Sequence, residues 1–513
     1  MARMAPVLPL ALPVAGPSQR ATLRSLLGGS GLALALLVAI PPLMGGARSK
    51  STDPATPATG ALASGPEVRV LLLEGPVLTI GAAGPAGLRL SDRDQRTVLE
   101  VEPGQQLRVR RSGTGLTLET LASTRASESG GDTVGAAPRP IPLQELRLTP
   151  LASQGLLVVK QRRYRGSLLL RPEGEGLQAI NLVPLESYLP GVVGSEMPPS
   201  WPLAALRAQA IASRTYALQQ RRPHAPYDLQ ATVTSQVYKG VESETPSVRE
   251  AVASTRAQVL MHGERLINAV FHSSSGGRTE NSGDLWSRQL PYLVSVADDD
   301  AISPVSRWEK TFTPEALRKA FQEIGGANTI QPVELSNTGR VRRVRVIGPG
   351  GELTLSGSGL RERLGLRSTL VRFRFEPAGR AEDLARSSPS DGNPSEGSPS
   401  GSASGSAAPD SATGLEGGQG SAFGGGPPRM RSVGLASPPP LPREAGMVAA
   451  AASNDAAMPG STPSPAMRLV VQGRGYGHGV GMSQWGAYAL ALRGKSHEDI
   501  LRHYYRGAVL RTW

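Results

Sequence analysis

Aromatic side chains mark where this chain can build a core. No Phe, Tyr or Trp occurs before Tyr164, and only Phe423 lies between Ala381 and Pro465. All the others fall in 164–378 and 467–513. A sizeable core, in one or two domains, is therefore expected in those two stretches. The interval 381–465 is about two-thirds Gly, Ser, Pro and Ala. Such a composition cannot bury enough apolar surface to offset chain entropy, so 379–466 reads as a disordered insertion. The segment after it, 467–513, is too short to fold alone and is expected to pack back onto the body that precedes the insertion.

The start of the chain looks like an export signal. Arg20 and Arg24 precede an uncharged stretch, Ser25 to Ala47, whose centre Leu32–Ile40 is unbroken apolar. Small residues (Gly45, Gly46, Ala47) then precede Arg48. This order describes a secretory signal peptide over 1–47. An uncleaved N-terminal membrane anchor is the alternative, because the uncharged run is long enough to span a bilayer if Pro41 and Pro42 are tolerated. Either way the protein is expected outside the cytoplasm, in the periplasm or cell wall. Residues 48–65 form a Ser/Thr/Pro/Ala tether. The chain has no cysteine, which excludes disulfides, thiolate metal sites and a Cys nucleophile. The net charge of +13 suits an anionic partner such as a cell-wall polymer, a membrane surface or nucleic acid. Export removes the nucleic acid, and no basic–aromatic platform is visible.

From Pro66 to about 150, short β-type runs alternate with turns: Val68–Leu73, Pro76–Ile80, Thr97–Val101, Gln106–Arg110 and Leu116–Leu121. Without aromatics, 66–150 reads as a small β-rich region leaning on the rest. Strands continue at Leu156–Val159, Ser167–Leu170 and Leu177–Val183. An amphipathic helix is expected over Pro202–Gln220, with Ser200 as its N-cap. A second helix (Pro246–Ala257) and strands (Gln258–Met261, Leu266–His272) follow. Beyond them come a helix near Pro314–Ile324 and strands at Arg340–Ile347, Glu352–Leu355 and Leu370–Phe375. Alternation without regular βαβ spacing predicts an α+β fold, a mixed sheet with packed helices.

Three segments carry candidate chemistry. Glu196 sits between Val192-Val193, read as the end of a strand, and Met197-Pro198-Pro199-Ser200-Trp201, just before the first helix. Apolar neighbours strip water from a carboxyl group and raise its pKa, which suits it to hold a proton near neutrality. A nearby helix N-terminus opposes this, and a plain capping carboxylate is the other reading. Within the helix, Arg207, Arg214 and Arg221 recur every seven residues as a stripe that is either solvated or, for the first two, turned to substrate. The second segment, Phe271–Trp286 (FHSSSGGRTENSGDLW), offers hydroxyls and paired glycines to a polar ligand, or is an ordinary turn. The third, Gly473–Leu490, places glycine at 473, 475, 477, 479 and 481. That spacing permits close approach to a ligand or another strand and leaves His478 as acid, base, donor or structural residue. It lacks the Gly-Lys-Ser/Thr ending of a phosphate loop.

Six blocks occur in order: YRGSLLL (Tyr164–Leu170), NLVPLESYLPGVVGSEMP, ALRAQAIASRTYAL, SQVYKGV (Ser235–Val241), FHSSSGGRTE and GYGHGVGMSQWGAYA. Together they resemble the stage II sporulation protein D/amidase enhancer family. The resemblance implies a cell-wall protein whose catalytic domain is 151–378 completed by 467–513. It also implies that Glu196 is the essential glutamate. The sporulation branch implies a lytic transglycosylase acting on glycan strands stripped of stem peptides. The other branch implies a non-catalytic, glycan-binding enhancer of an N-acetylmuramoyl-L-alanine amidase, with that amidase as partner. Some members bind zinc through two Cys and a His. This chain keeps His224 but has Gln230 and Ser235 at the thiolate positions, so neither a metal nor another cofactor is expected.

A lytic transglycosylase uses the muramic C6 hydroxyl as internal nucleophile and so needs one carboxyl group, where a hydrolase calls for a pair. No acid other than Glu196 lies between Ser187 and Arg222, and Glu280 and Asp284 are the acids that could supply a partner from elsewhere. Glu196 is thus the expected acid/base. Gln209, Arg214, Ser273, Ser274, Thr279, His478 and Gln484 are expected to position the sugar. Trp201, Trp286 and Trp485 are candidates for stacking on it or for the core.

Overall fold

Strand patterning follows burial closely. In Gln106–Ser112, Leu107 and Val109 point inward while their neighbours are solvated. Gly176–Pro184 instead buries every residue from Leu177 to Val183, the mark of a strand covered on both faces. The computed structural model describes residues 65–113, 115–121, 138–142, 144–377 and 467–513. The expected leader (1–47), the tether except Gly65, and the insertion 379–466 lie outside the described residues.

The fold is α+β, as expected. A seven-stranded sheet runs in the order Leu229–Gln230, Glu67–Gly75, Gly176–Pro184, Ser167–Glu173, Leu146–Pro150, Leu88–Ser91, Thr97–Val101. A six-stranded sheet runs Arg162–Tyr164, Leu156–Val159, Val77–Ala83, Gln106–Ser112, Gly115–Leu121, Arg139–Pro142. The expected boundary at 150/151 cuts both sheets. Glu67–Gly75 pairs along Gly176–Pro184, and Val77–Ala83 pairs with Leu156–Val159. Strands 66–150 lack aromatics because they share a core with later segments and need none of their own.

Eight helices are described: α1 (Leu185–Glu196), α2 (Leu203–Gln219), α3 (Pro246–Ser254), α4 (Ser282–Leu285), α5 (Pro314–Ala320), α6 (Gly357–Leu364), α7 (Gln484–Leu492) and α8 (His497–Tyr504). Helix α1 replaces the expected strand end. Its buried Leu185, Tyr188, Leu189, Val192 and Val193 recur at helical spacing, while Pro190 and two glycines disguise the pattern. Gly194 is there for closeness: a Cβ would stand 1.9 Å from the Ser243 carbonyl oxygen. Helix α2 begins one residue late and without the expected cap. Its N-cap is Pro202, with no side-chain cap, and the Pro202 carbonyl takes the Ala205 amide at 2.9 Å. Ser200 stays exposed outside the helix. The expected strand Leu266–His272 is broken into Arg265–Leu266 and Phe271–His272.

A second, smaller core gathers Phe321, Val344, Val346, Leu360, Leu469 and Val471 under α5 and α6. One of its sheets places Met467–Arg474 between Arg307–Phe312 and Val371–Pro377. Farther along, Val509–Thr512 pairs with Gln258–His262. The last segment therefore does pack back onto the body. Among the described residues no helix is long and apolar enough to cross a membrane.

The expected arginine stripe meets three surroundings. Arg207 donates to Ser254 at 2.9 Å, Arg221 is exposed beyond the end of α2, and Arg214 is buried. Arg214 grips Glu186 of α1 with two parallel bonds, 2.7 and 2.8 Å. The first turn of α1 is thus fixed to the last third of α2. Removing one partner strands a charge in the core, so Arg214→Met is expected to cost about 3–5 kcal/mol. The double variant Glu186→Leu/Arg214→Met recovers most of that loss, as chemical denaturation of the three proteins will show.

Candidate active site

Glu196 is the last residue of α1, so it does not cap α2 and does not sit at that helix's N-terminus. Its own helix presents carbonyl groups at this end, a field that disfavours an ionised carboxylate. The carboxyl group lines a cavity of about 410 Å³ whose wall includes Tyr216, Val237, Val270, Phe271, Ser273 and Gln484. Burial among these groups raises its pKa above the ordinary glutamate range. Three influences pull the other way without winning: the Val237 amide donates to Oε1 at 2.7 Å, Gln484 Nε2 donates to Oε2 at 3.1 Å, and Lys239 adds a positive charge. The result is an acid that holds its proton longer than usual and whose conjugate base has donors already in place.

The glycine run reaches this cavity by pairing with the Ser/Gly loop. Phe271–His272 lies parallel to Met482–Ser483, and isolated bridges join Ser274 to Tyr476 and Glu280 to Val480. Close approach is made to the chain's own backbone. Gly481 has φ +76°, and a Cβ there would stand 2.1 Å from the Val270 carbonyl oxygen. At Gly477 (φ +114°) a Cβ would stand 2.7 Å from that of His272. Buried carboxylates tie the loop from beneath: Ser274 donates to Asp300, and Ser275 and Tyr504 donate to Asp298, each at 2.6 Å.

Two imidazoles meet there, His272 and His478, with ring centroids 5.4 Å apart. Both line the cavity. Burial lowers both pKa values, that of His478 to about 4. The mutual presence of the rings and the cations Arg340 and Arg361 push His272 down further. His478 Nδ1 accepts the Val480 amide at 3.1 Å, which leaves its proton on Nε2. His272 Nδ1 lies 3.1 Å from the Val480 carbonyl and donates to it. His272 Nε2, buried and without a partner, is therefore a bare acceptor.

Of the sequence-predicted residues, Glu196, Ser273, His478 and Gln484 come together around this cavity. Gln209, Arg214, Ser274 and Thr279 do not; all four are buried and engaged within the protein. Gln209 donates to Ser213 at 3.0 Å, and Thr279 accepts the Val296 amide at 2.8 Å. Trp485 packs edge-on against Trp201, centroids 4.8 Å apart, and Tyr488 closes the cluster. Trp286 is partly exposed, meets the His478 ring at 6.1 Å between centroids, and borders both this cavity and an adjoining one of about 340 Å³ that holds Glu280, Asp284 and Arg340. Tyr216, Val237, His272 and Arg361 were not singled out from sequence. His272 stood inside a motif, but Arg361 lies in a charged helix that carries no motif at all.

The zinc position does not fit a metal. His224 is exposed, Ser235 Oγ accepts the Gln230 amide at 3.1 Å, and neither Gln nor Ser replaces a thiolate as a zinc ligand. The segment is instead pinned by Asp228. Its carboxylate takes the backbone amides of Arg69 and Arg222 and pairs with the Arg69 guanidinium at 2.7 Å.

Comparison with known proteins agrees with the motifs. Residues 173–262 match the SpoIID family, described as Stage II sporulation protein. The chain is 26% identical over 411 residues to the Stage II sporulation protein D of Bacillus subtilis (strain 168), across 76% of this chain and 84% of that one. It is 27% identical over 348 residues to the Stage II sporulation protein D of Bacillus amyloliquefaciens, across 64% and 74% of the two chains. It is also 27% identical over 325 residues to the Amidase enhancer of Bacillus subtilis (strain 168), covering 63% of this chain and 40% of that longer one. The resemblance read from the six blocks is thus to the SpoIID family and its amidase-enhancer relatives.

The raised pKa of Glu196 makes a stability prediction. A carboxyl group whose folded pKa exceeds its unfolded one favours the fold below the unfolded value and loses that contribution as pH rises through the folded value. Glu196→Gln is isosteric, can still accept the Val237 amide, and can donate to Gln484 once that amide turns over. It is expected to melt higher than the parent at pH 7, with the gap closing below about pH 4.5. Melting curves from pH 3.5 to 8 test this.

Proposed function

We propose that this protein is an exported peptidoglycan-remodelling enzyme, a lytic transglycosylase that cleaves MurNAc–GlcNAc bonds of cell-wall glycan strands. One observation carries the reading: among the described residues, Glu196 is the only carboxylate that lines its cavity. The two acids that could have served as a partner stand in the adjoining cavity and are engaged. Glu280 accepts hydrogen bonds from Ser336 and Thr338 and the Asn281 amide, and Asp284 accepts from Asn281 Nδ2 at 3.0 Å. Activating water from the opposite face of a sugar needs a second carboxylate, which supports the one-carboxyl alternative.

In that chemistry Glu196, whose raised pKa favours the protonated form, gives its proton to the glycosidic oxygen as the bond to C1 breaks. The carboxylate left behind is steadied by the Val237 amide and Gln484. It then takes the proton of the muramic C6 hydroxyl as that oxygen bonds to C1. The product is a 1,6-anhydro ring, no water is consumed, and Glu196 ends protonated as it began. Both imidazoles border the cavity, and burial holds both in the neutral form at working pH; His272 Nε2 is sealed within the wall and shapes it without meeting the sugar. Trp286, on the border of both cavities, stands where a strand would pass from one to the next.

A second reading rests on the amidase-enhancer relative: a glycan-binding module that stimulates a cell-wall amidase without cleaving. The full chain incubated with glycan strands lacking stem peptides separates the two. The wild type is expected to release 1,6-anhydromuramic ends, with activity declining as pH rises through the raised pKa of Glu196. Glu196→Gln is expected to lose about 10²- to 10⁴-fold in turnover, the usual contribution of a general acid/base. Equal strand binding by both proteins with no product from either supports the module.

A further inference from the structure

Among the described residues, Arg361 is the one cation on the wall of the Glu196 cavity. It projects from α6, half-buried, and its Nε donates to the Leu366 carbonyl at 3.2 Å. Among the described residues its two terminal amino groups have no hydrogen-bond acceptor and no carboxylate stands within ion-pair distance. Its neighbour Arg340 differs: that guanidinium is matched by Glu280 at 3.7 Å and by carbonyl groups. A partly buried guanidinium left without an anion is costly, and burial accordingly pulls the pKa of Arg361 down. Burial keeps both imidazoles neutral, so Arg361 is the fixed positive charge among the described residues of the wall.

Resting on the glycan reading above, we infer that Arg361 receives a carboxylate of the substrate, namely the free lactyl carboxylate of a muramic acid residue. A guanidinium fork is the natural receiver of a carboxylate, through two parallel charge-assisted bonds. A muramic residue that still bears a stem peptide has this carboxyl tied up as an amide and offers no charge. The neutral sugars of chitin lack the group altogether. Arg361 acts on the substrate and not on the acid: the cation that bears on Glu196 is Lys239, whereas the field of Arg361 falls on His272 and His478. The residue therefore selects which sugar enters and leaves the proton chemistry alone.

The test measures binding of labelled MurNAc–GlcNAc tetrasaccharide with free lactyl carboxylates, the same tetrasaccharide as methylamides, and chitotetraose. Full-length Glu196→Gln serves as host, so that nothing is cleaved. The host is expected to prefer the free carboxylate by about 10- to 100-fold, the scale of a charge-assisted pair. Adding Arg361→Gln removes that preference without changing affinity for the methylamide, and Arg361→Lys keeps part of it. In the active enzyme Arg361→Gln raises KM and leaves the pH limb of kcat in place. A host that binds carboxylate and methylamide alike overturns the inference while sparing the glycan reading. So does an Arg361→Gln variant that loses affinity for all three ligands together. No binding of any glycan overturns both.

Discussion

A two-residue stretch of parallel pairing, Phe271–His272 with Met482–Ser483, assembles the site. Gln484 follows directly on this pairing and reaches Glu196 across 288 residues of sequence. Such a junction is too short to hold by its own hydrogen bonds. It holds because Gly481 and Gly477 let two backbones meet at distances no side chain would allow, and because Asp298 and Asp300 secure the loop from below. Closing so long a loop costs entropy, and the small shared surface would not offset it without the surrounding core.

The same junction explains how opposing influences on Glu196 balance. Dehydration would leave a lone carboxyl group too reluctant to ionise, and strong donors alone would leave it too willing. The fold supplies one donor from the backbone of Val237 and one from a side chain on α7, so the conjugate base is met but not over-stabilised. Arg214, fixed on Glu186 at the far end of α1, steadies the helix that carries the carboxyl group. It shapes the site without touching it.

Much of this was legible in the sequence, and the gaps have physical causes. Thr97–Val101 and Leu156–Val159 were bounded to the residue because turn residues flank a clear alternation. Helix α1 was missed because Pro190, Gly191 and Gly194 read as strand or turn, although Leu185, Tyr188, Leu189, Val192 and Val193 keep helical spacing. Motif membership located Glu196, Ser273, His478 and Gln484 but could not separate wall from support. Ser274 and Thr279 share the motif and face inward because their hydroxyls bond the chain itself. Arg361 left no trace, since what distinguishes it is a missing carboxylate, and absence of a partner is visible only in three dimensions.

Val371–Pro377 and Met467–Arg474 are paired antiparallel, and the last pair is Pro377 with Met467. The polypeptide between them leaves and returns at one point on the rim of the smaller sheet. Loop length is a weak variable in such a place: each doubling adds only about 0.6 kcal/mol of closure entropy. The rim is therefore a port at which evolution can lengthen, shorten or replace sequence while the strand register on either side is left as it was, and with it the cavity whose wall takes Arg361 from before the port and Tyr476, His478 and Gln484 from after it.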